Sequence, residues 1–267
     1  MNAFEISIIA PAFLASLLVL STHVPLGTEV LRRGIIFIDL AIAQVAGLGV
    51  IAADTMGWEA EGWMVQIAAV TAALLAAYVL HLTDKRWPEI QEALIGASFV
   101  LAATAGILIL SGNPHGGEHL KELLVGQILW VNYDQLIPVA VISAGVLGAW
   151  YWMRDHLQGF GFYAIFAFAV TSSVQLVGIY LVFACLIIPA LATRHILKRG
   201  IRIACGYGVG TAGCLSGLIL SVNLDLPAGA VIVWCLAGFA LIFAWLVWPI
   251  IRHRDQQSES SVDQSST

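Results

Sequence analysis

Val174–Gly200 reads VQLVGIYLVFACLIIPALATRHILKRG, an apolar run interrupted by Gly178 and Pro189 and closed by the basic residues Arg194, Lys198 and Arg199. Its length and its lack of charge before Arg194 assign it to hydrocarbon, where about 20 apolar residues cross a slab of about 30 Å. Glycine has no side chain to hold the backbone, and proline removes an amide donor and clashes with the preceding turn. The two residues therefore break what is otherwise uniform helix. A freed backbone group in lipid costs several kcal/mol, so such a break is tolerated only where protein or a water-filled path surrounds it. A plain kinked helix uses the same residues, which are commoner in membrane helices than in soluble ones. Gly178 and Pro189 are accordingly candidate pathway residues, with Gln175 as a polar neighbour.

The rest of the chain is of the same kind. Of its 267 residues 60% are hydrophobic and 11% charged, more apolar surface than a soluble core can hide. The fold class expected is an all-α polytopic membrane protein of about eight or nine transmembrane helices with one broken segment. Spans are predicted at Phe4–Val24, Gly34–Ala53, Met64–Leu82, Glu92–Ser111 and Gln135–Met153. The apolar stretch Gly161–Thr193 is too long for one span and is folded into two legs that turn between Ser172 and Gly178; Ile203–Val222 and Ala228–Ile251 follow. Between the fourth and fifth spans, GNPHGGEHLKELLVGQILWVNYD makes a long polar or re-entrant connection. Residues 1–254 form one membrane domain, and 255–267, DQQSESSVDQSST, are too polar to pack and are expected to be a disordered cytoplasmic tail. Met1–Leu20 has no basic n-region, so a cleaved signal is not expected. The four cysteines, Cys185, Cys205, Cys214 and Cys235, sit in apolar segments as small hydrophobes, without the paired spacings of a zinc site.

Charge sets the orientation. Arg32, Arg33, Lys85, Arg86, Arg154, Arg194, Lys198, Arg199, Arg202, Arg252 and Arg254 fall in every second connection, leaving Lys121 alone on the other side. Short cytoplasmic loops carry the excess of Lys and Arg, which puts the N-terminus outside, the C-terminus inside, and favours an odd number of passes. The opposite face carries Glu5, Asp54, Glu59, Glu61, Glu118, Glu122, Asp134 and Asp225, either an acidic rim that concentrates cations or ordinary solvated loop acids.

The order of several blocks is familiar. VGIYLVFACLIIPALAT resembles the VG(x)L(x)(x)(x)LLIIPAATA block of the zinc/manganese/iron permease family of ABC transporters. PLGTEVLRRG, FIDLAIAQVAGLG, EALIGASFVLAATAGILIL, LLVGQILWV and NLDLPAGAVIV agree with the same family in the same order, from Pro25 to Leu246. The resemblance implies a type II ABC importer-like permease in a bacterial inner membrane, carrying a divalent metal ion as substrate with no tightly bound cofactor. It further implies a separate ATP-binding cassette subunit, an extracytoplasmic metal-binding protein, a homodimer and surrounding lipid as partners. Nucleic acid is not among them. No GxxxxGK[ST] phosphate loop is present, so ATP hydrolysis falls to a partner and the chain itself is not an enzyme.

Asp39 and Gln44 lie within the second span, where ionisable groups are costly and face a cavity or the bundle interior. The family block reads like GD(x)(x)(x)HA(x)LLG, whose Asp and His line the metal path. In register, Gln44 stands where that His is and Asp39 is one position away from the Asp, about 100 degrees around the helix. In PHGGEHLKE, His115, Glu118 and His119 offer imidazole and carboxylate, which suit zinc, manganese and iron. His23, His81, His156, His195 and His253 are placed at span ends on or near the basic side, as interfacial groups. The family's cytoplasmic coupling helix between the fifth and sixth spans has no room in RDHLQGFG. That departure keeps open a second function, a conduit or scaffold of the same fold without ATPase coupling.

Overall fold

The computed structural model describes residues 3–58, 62–113, 116–153 and 159–265. Among these the chain is helical without strands: α1 (Ala3–Arg33), α2 (Ile38–Thr55), α3 (Trp63–Arg86), α4 (Gln91–Leu110), α5 (Gly116–Val125), α6 (Tyr133–Met153), α7 (Phe160–Val177), α8 (Ile179–Ala192), α9 (Arg199–Leu224) and α10 (Ala228–Ser265). All but α5 and α8 hold windows long and apolar enough to cross a membrane, eight in all. The outer helices are inside-out relative to a soluble protein: Ile67, Leu75, Leu101, Leu108, Leu241 and Trp245 are exposed, as lipid-facing positions require.

The two ends of the bundle are fixed by contacts. At one end the Arg33 guanidinium lies 4.0 Å over the Phe162 ring, His81 of α3 packs on Phe160 and Tyr163 of α7, and the Phe37 amide donates to Glu92 Oε1 at 3.2 Å. Arg32, Arg33, Lys85, Arg86, Arg199 and Arg202 all belong to the helix termini of this end. At the other end stand Asp54, Asp134 and Asp225, at the termini of α2, α6 and α9; Glu122 lies instead in the last turn of α5. The alternation of charge read from the sequence is thus an alternation of helix ends.

One expectation changes. The first span does not stop at Val24; α1 continues through Pro25 and Gly27 to Arg33. Pro25 has no N–H for the carbonyl of Ser21, and the Tyr207 hydroxyl of α9 donates to that oxygen at 2.8 Å. Gly27 is retained for packing, because a Cβ there would overlap the Leu186 carbonyl of α8. The first helix therefore ends at Gly34, and α2 begins at Ile38 rather than Gly34. At the other terminus α10 runs helically through the polar residues 255–265.

The broken stretch turns at Gly178, which closes α7 by donating to the Val174 carbonyl at 2.8 Å and opens α8 by accepting from the Val182 amide at 3.1 Å. At 14 residues α8 is about 21 Å long, short of the ~30 Å slab. The remainder is filled by α5, whose Leu123 packs 3.8 Å from the Cβ position of Gly47, half-way along α2. The connection between α4 and α6 is therefore re-entrant.

Candidate metal pathway

Gly126, just past α5, and Gly178, between α7 and α8, meet backbone to backbone. Both have positive φ, +72° and +82°, and a Cβ on Gly178 would lie 2.6 Å from the Val125 carbonyl carbon. Only glycine at both positions lets the re-entrant tip seat on the break. The Cβ position of Gly229 at the start of α10 abuts the Val125 carbonyl as well. The irregular backbone is thus enclosed in protein, the condition on which such backbone survives at membrane depth.

Beneath this contact lies a buried polar layer. Asp39, in the first turn of α2, is 0% exposed, and neither carboxylate oxygen has a hydrogen-bond partner. Phe37, two residues earlier, stacks on Phe183 of α8 with centroids 6.3 Å apart, which sets the start of α2 beside the segment of α8 between Gly178 and Pro189. Cys185 on that segment faces Cys214 of α9, and the Asp39 carboxylate lies within electrostatic reach of it. Both thiols are buried and free. Pro189 stands four residues after Cys185 and withholds the amide that would bond the Cys185 carbonyl. On α1, His23 is fully buried with Nε2 unpartnered, while Nδ1 is 2.9 Å from the Val19 carbonyl and from Thr22 Oγ1. It is one turn before Gly27, the residue that contacts α8, and so shares the α8-facing stripe.

The sequence-based expectations fall as follows. Asp39 and Gln44 are both buried, and Gly178 and Pro189 bracket the segment of α8 beside Asp39. Gln175 is exposed: with Phe168 and Ser172 it forms an outward stripe at helical spacing on α7, not a neighbour of Asp39. Glu118 is exposed on the first turn of α5, five residues before Leu123 and apart from the buried layer. His115 lies outside the described residues, as does the side chain of His119. His23 and His81 are buried rather than interfacial. Among the described residues no three His, Cys, Asp or Glu side chains are gathered into a cage for an ion. Sequence reasoning missed His23, Cys185 and Cys214. The signals that could have found them were spacings of four, His23 to Gly27 and Cys185 to Pro189.

Residues 5–247 match the ABC 3 transport family. The chain belongs to that family. Among its relatives, a "Probable iron transport system membrane protein" of Haemophilus influenzae is 29% identical over 147 residues, spanning 47% of this chain and 54% of that protein. A "Probable metal transport system membrane protein" of Thermotoga maritima is 26% identical over 249 residues, 86% of each chain. The solved structure of PsaBC from Streptococcus pneumoniae in complex with Fab superposes with a TM-score of 0.73 at 20% identity, covering 91% of this chain and 95% of that one. At that identity the superposition speaks for the fold: an ABC transporter permease of many membrane-crossing helices.

Proposed function

We propose that this chain is the membrane-spanning subunit of an importer for a divalent metal ion, zinc, manganese or iron. It works as a homodimer, driven by a separate ATPase subunit and fed by an extracytoplasmic binding protein. Family membership and the metal-transport names of its relatives support the substrate class. The observation that carries the assignment to this chain's own residues is Asp39. A buried carboxylate without a donor costs several kcal/mol, and a passing cation supplies the charge that relieves it. The basic end of the bundle faces the cytoplasm and the ATPase, and α5 closes the path from the outer side.

Uptake measured in cells that express the permease with its ATPase and binding protein tests this. Asp39→Asn keeps side-chain size while removing charge, and the expected outcome is inserted, folded protein with accumulation of the carried metal reduced about tenfold or more. Unchanged accumulation of zinc, manganese and iron alike overturns the assignment. The uncoupled conduit or scaffold is favoured by one observation, that only residues 154–159 join α6 to α7; the residues 154–158 expected to lack the coupling helix are outside those described. Purification from native membranes with a metal-binding partner but never an ATPase decides for that second function.

A further inference from the structure

Resting on the transport function just proposed, we infer that Glu92 of α4 is a positioning residue for Asp39: its hydrogen bond to the Phe37 amide latches the first turn of α2 and keeps the buried carboxylate from swinging out to water. Asp39 needs such a restraint. It stands in the first turn of α2, wholly buried with both oxygens unpartnered, so its burial works against the turn that carries it. The first amides of a helix have no ladder partner, and helix ends fray. Unwinding one turn here would return the carboxylate to water at the basic end of the bundle. The lead into α2 does little to resist: Gly34 has φ +72°, and the bonds from the Ile35 amide to the Val30 carbonyl at 3.4 Å and from the Ile38 amide to the Ile35 carbonyl at 3.3 Å are long.

What holds the turn comes from two other helices. Glu92 Oε1 accepts from the Phe37 amide at 3.2 Å, across 55 residues of sequence, and a bond to an ionised acceptor is stronger than a neutral one. Its support is fixed, because the adjacent Gln91 is buried and donates through Nε2 to the Leu80 carbonyl of α3 at 2.8 Å. The start of α4 thus joins the end of α3 to the start of α2. Glu92 lies in the first turn of α4 and against the first turn of α2, where the positive ends of helix dipoles favour an anion. Its Oε2 is buried without a partner, which places the carboxylate inside this junction rather than in solvent. From α8, Phe183 stacks on Phe37 with centroids 6.3 Å and planes 12° apart. The Phe37 ring is 46% exposed, so that contact can part without opening the core.

The test uses the full-chain permease purified alone in detergent, with opening read in two ways. One is hydrogen–deuterium exchange of a peptide spanning residues 35–42. The other is alkylation of the Asp39→Cys permease by N-ethylmaleimide, located by mass spectrometry so that the four native cysteines do not interfere. Glu92→Ala should speed both about tenfold or more, the equivalent of one hydrogen bond to a charged group, with exchange in α9 unchanged. Glu92→Gln keeps an oxygen that accepts from the Phe37 amide and should restore most of the protection. Exchange and alkylation unaltered by Glu92→Ala, no rescue by Glu92→Gln, or equal acceleration in α9, the mark of general loosening, overturns the latch. Neither readout needs ATPase or uptake. Metal accumulation by a permease whose α2 start is as open with Glu92 as without it therefore refutes the latch alone, whereas a closed latch in a permease that carries no metal refutes the transport function alone.

Discussion

Replacing Gly178 with alanine tests whether the re-entrant tip is clamped on the helix break. The backbone at Gly178 stands at φ 82°, ψ 163°, a region that is nearly closed to residues with a Cβ and costs on the order of 1–3 kcal/mol. The added methyl would also lie 2.6 Å from the Val125 carbonyl carbon and 2.7 Å from Gly126 Cα. These are main-chain atoms of a packed tip and cannot rotate aside, so overpacking adds about 1–3 kcal/mol. The expected loss is about 2–6 kcal/mol from the two together, read from denaturant unfolding of the purified protein in mixed micelles. Gly145→Ala is the control, since nothing lies within 4 Å of its Cβ position in the middle of α6; it should be neutral or slightly stabilising, because alanine is the better helix former by about 1 kcal/mol. Loosening of the tip has its own readout in faster tryptic cleavage after Lys121 on α5. Gly178→Ala unfolding within about 0.5 kcal/mol of the unaltered protein, the range of an ordinary surface substitution, with Lys121 no more accessible, refutes both the strained turn and the clamp.

Tyr207→Phe removes the donor that compensates Pro25 and should cost about 0.6–1 kcal/mol in thermal or denaturant unfolding. In a Pro25→Ala background, where position 25 regains an N–H for the Ser21 carbonyl, the same change should cost clearly less; equal costs in both backgrounds would remove the link between them. For orientation, Asp225→Cys at the end of α9 should react with a membrane-impermeant maleimide in intact cells, and Lys85→Cys only after permeabilisation. The reverse pattern inverts the topology.

The number of helices and the gathering of basic residues at alternate helix ends were legible because both follow from composition over windows of about 20 residues. The course of α1 was not. Pro25 and Gly27 carry the local signature of a helix end, and what overrides it is Tyr207 of α9, 186 residues from the Ser21 carbonyl it bonds, together with the Leu186 carbonyl against Gly27. The candidate site divides in the same way. Asp39 is visible because a carboxylate in a span is anomalous wherever its neighbours are. Cys185, Cys214 and His23 are ordinary in their own windows, and their relevance comes only from the packing of α8 against α1 and α9. Gln175 is not in the buried layer for a simpler reason: proximity to Gly178 along the chain fixes its depth but not its azimuth, and helical spacing turns it outward with Phe168 and Ser172.

Two prolines inside helices show how the same covalent defect is put to different ends. Pro25 and Pro189 each deprive the carbonyl four residues earlier of its ladder donor, and in hydrocarbon such an oxygen must find another partner. At Pro25 the partner is a side chain of the same protein, the Tyr207 hydroxyl at 2.8 Å, which makes the site structural and leaves nothing for a ligand to satisfy. At Pro189 the deprived carbonyl is that of Cys185, in the layer where the Asp39 oxygens are already without donors. Restoring an amide with Pro189→Ala therefore has an expected effect opposite in kind to Pro25→Ala. It should straighten and stabilise α8 while lowering accumulation of the carried metal, because an oxygen engaged in the helix ladder is no longer free to face a cation. A Pro189→Ala protein that gains stability and accumulates metal as before would mean that the kink shapes α8 without contributing to the pathway.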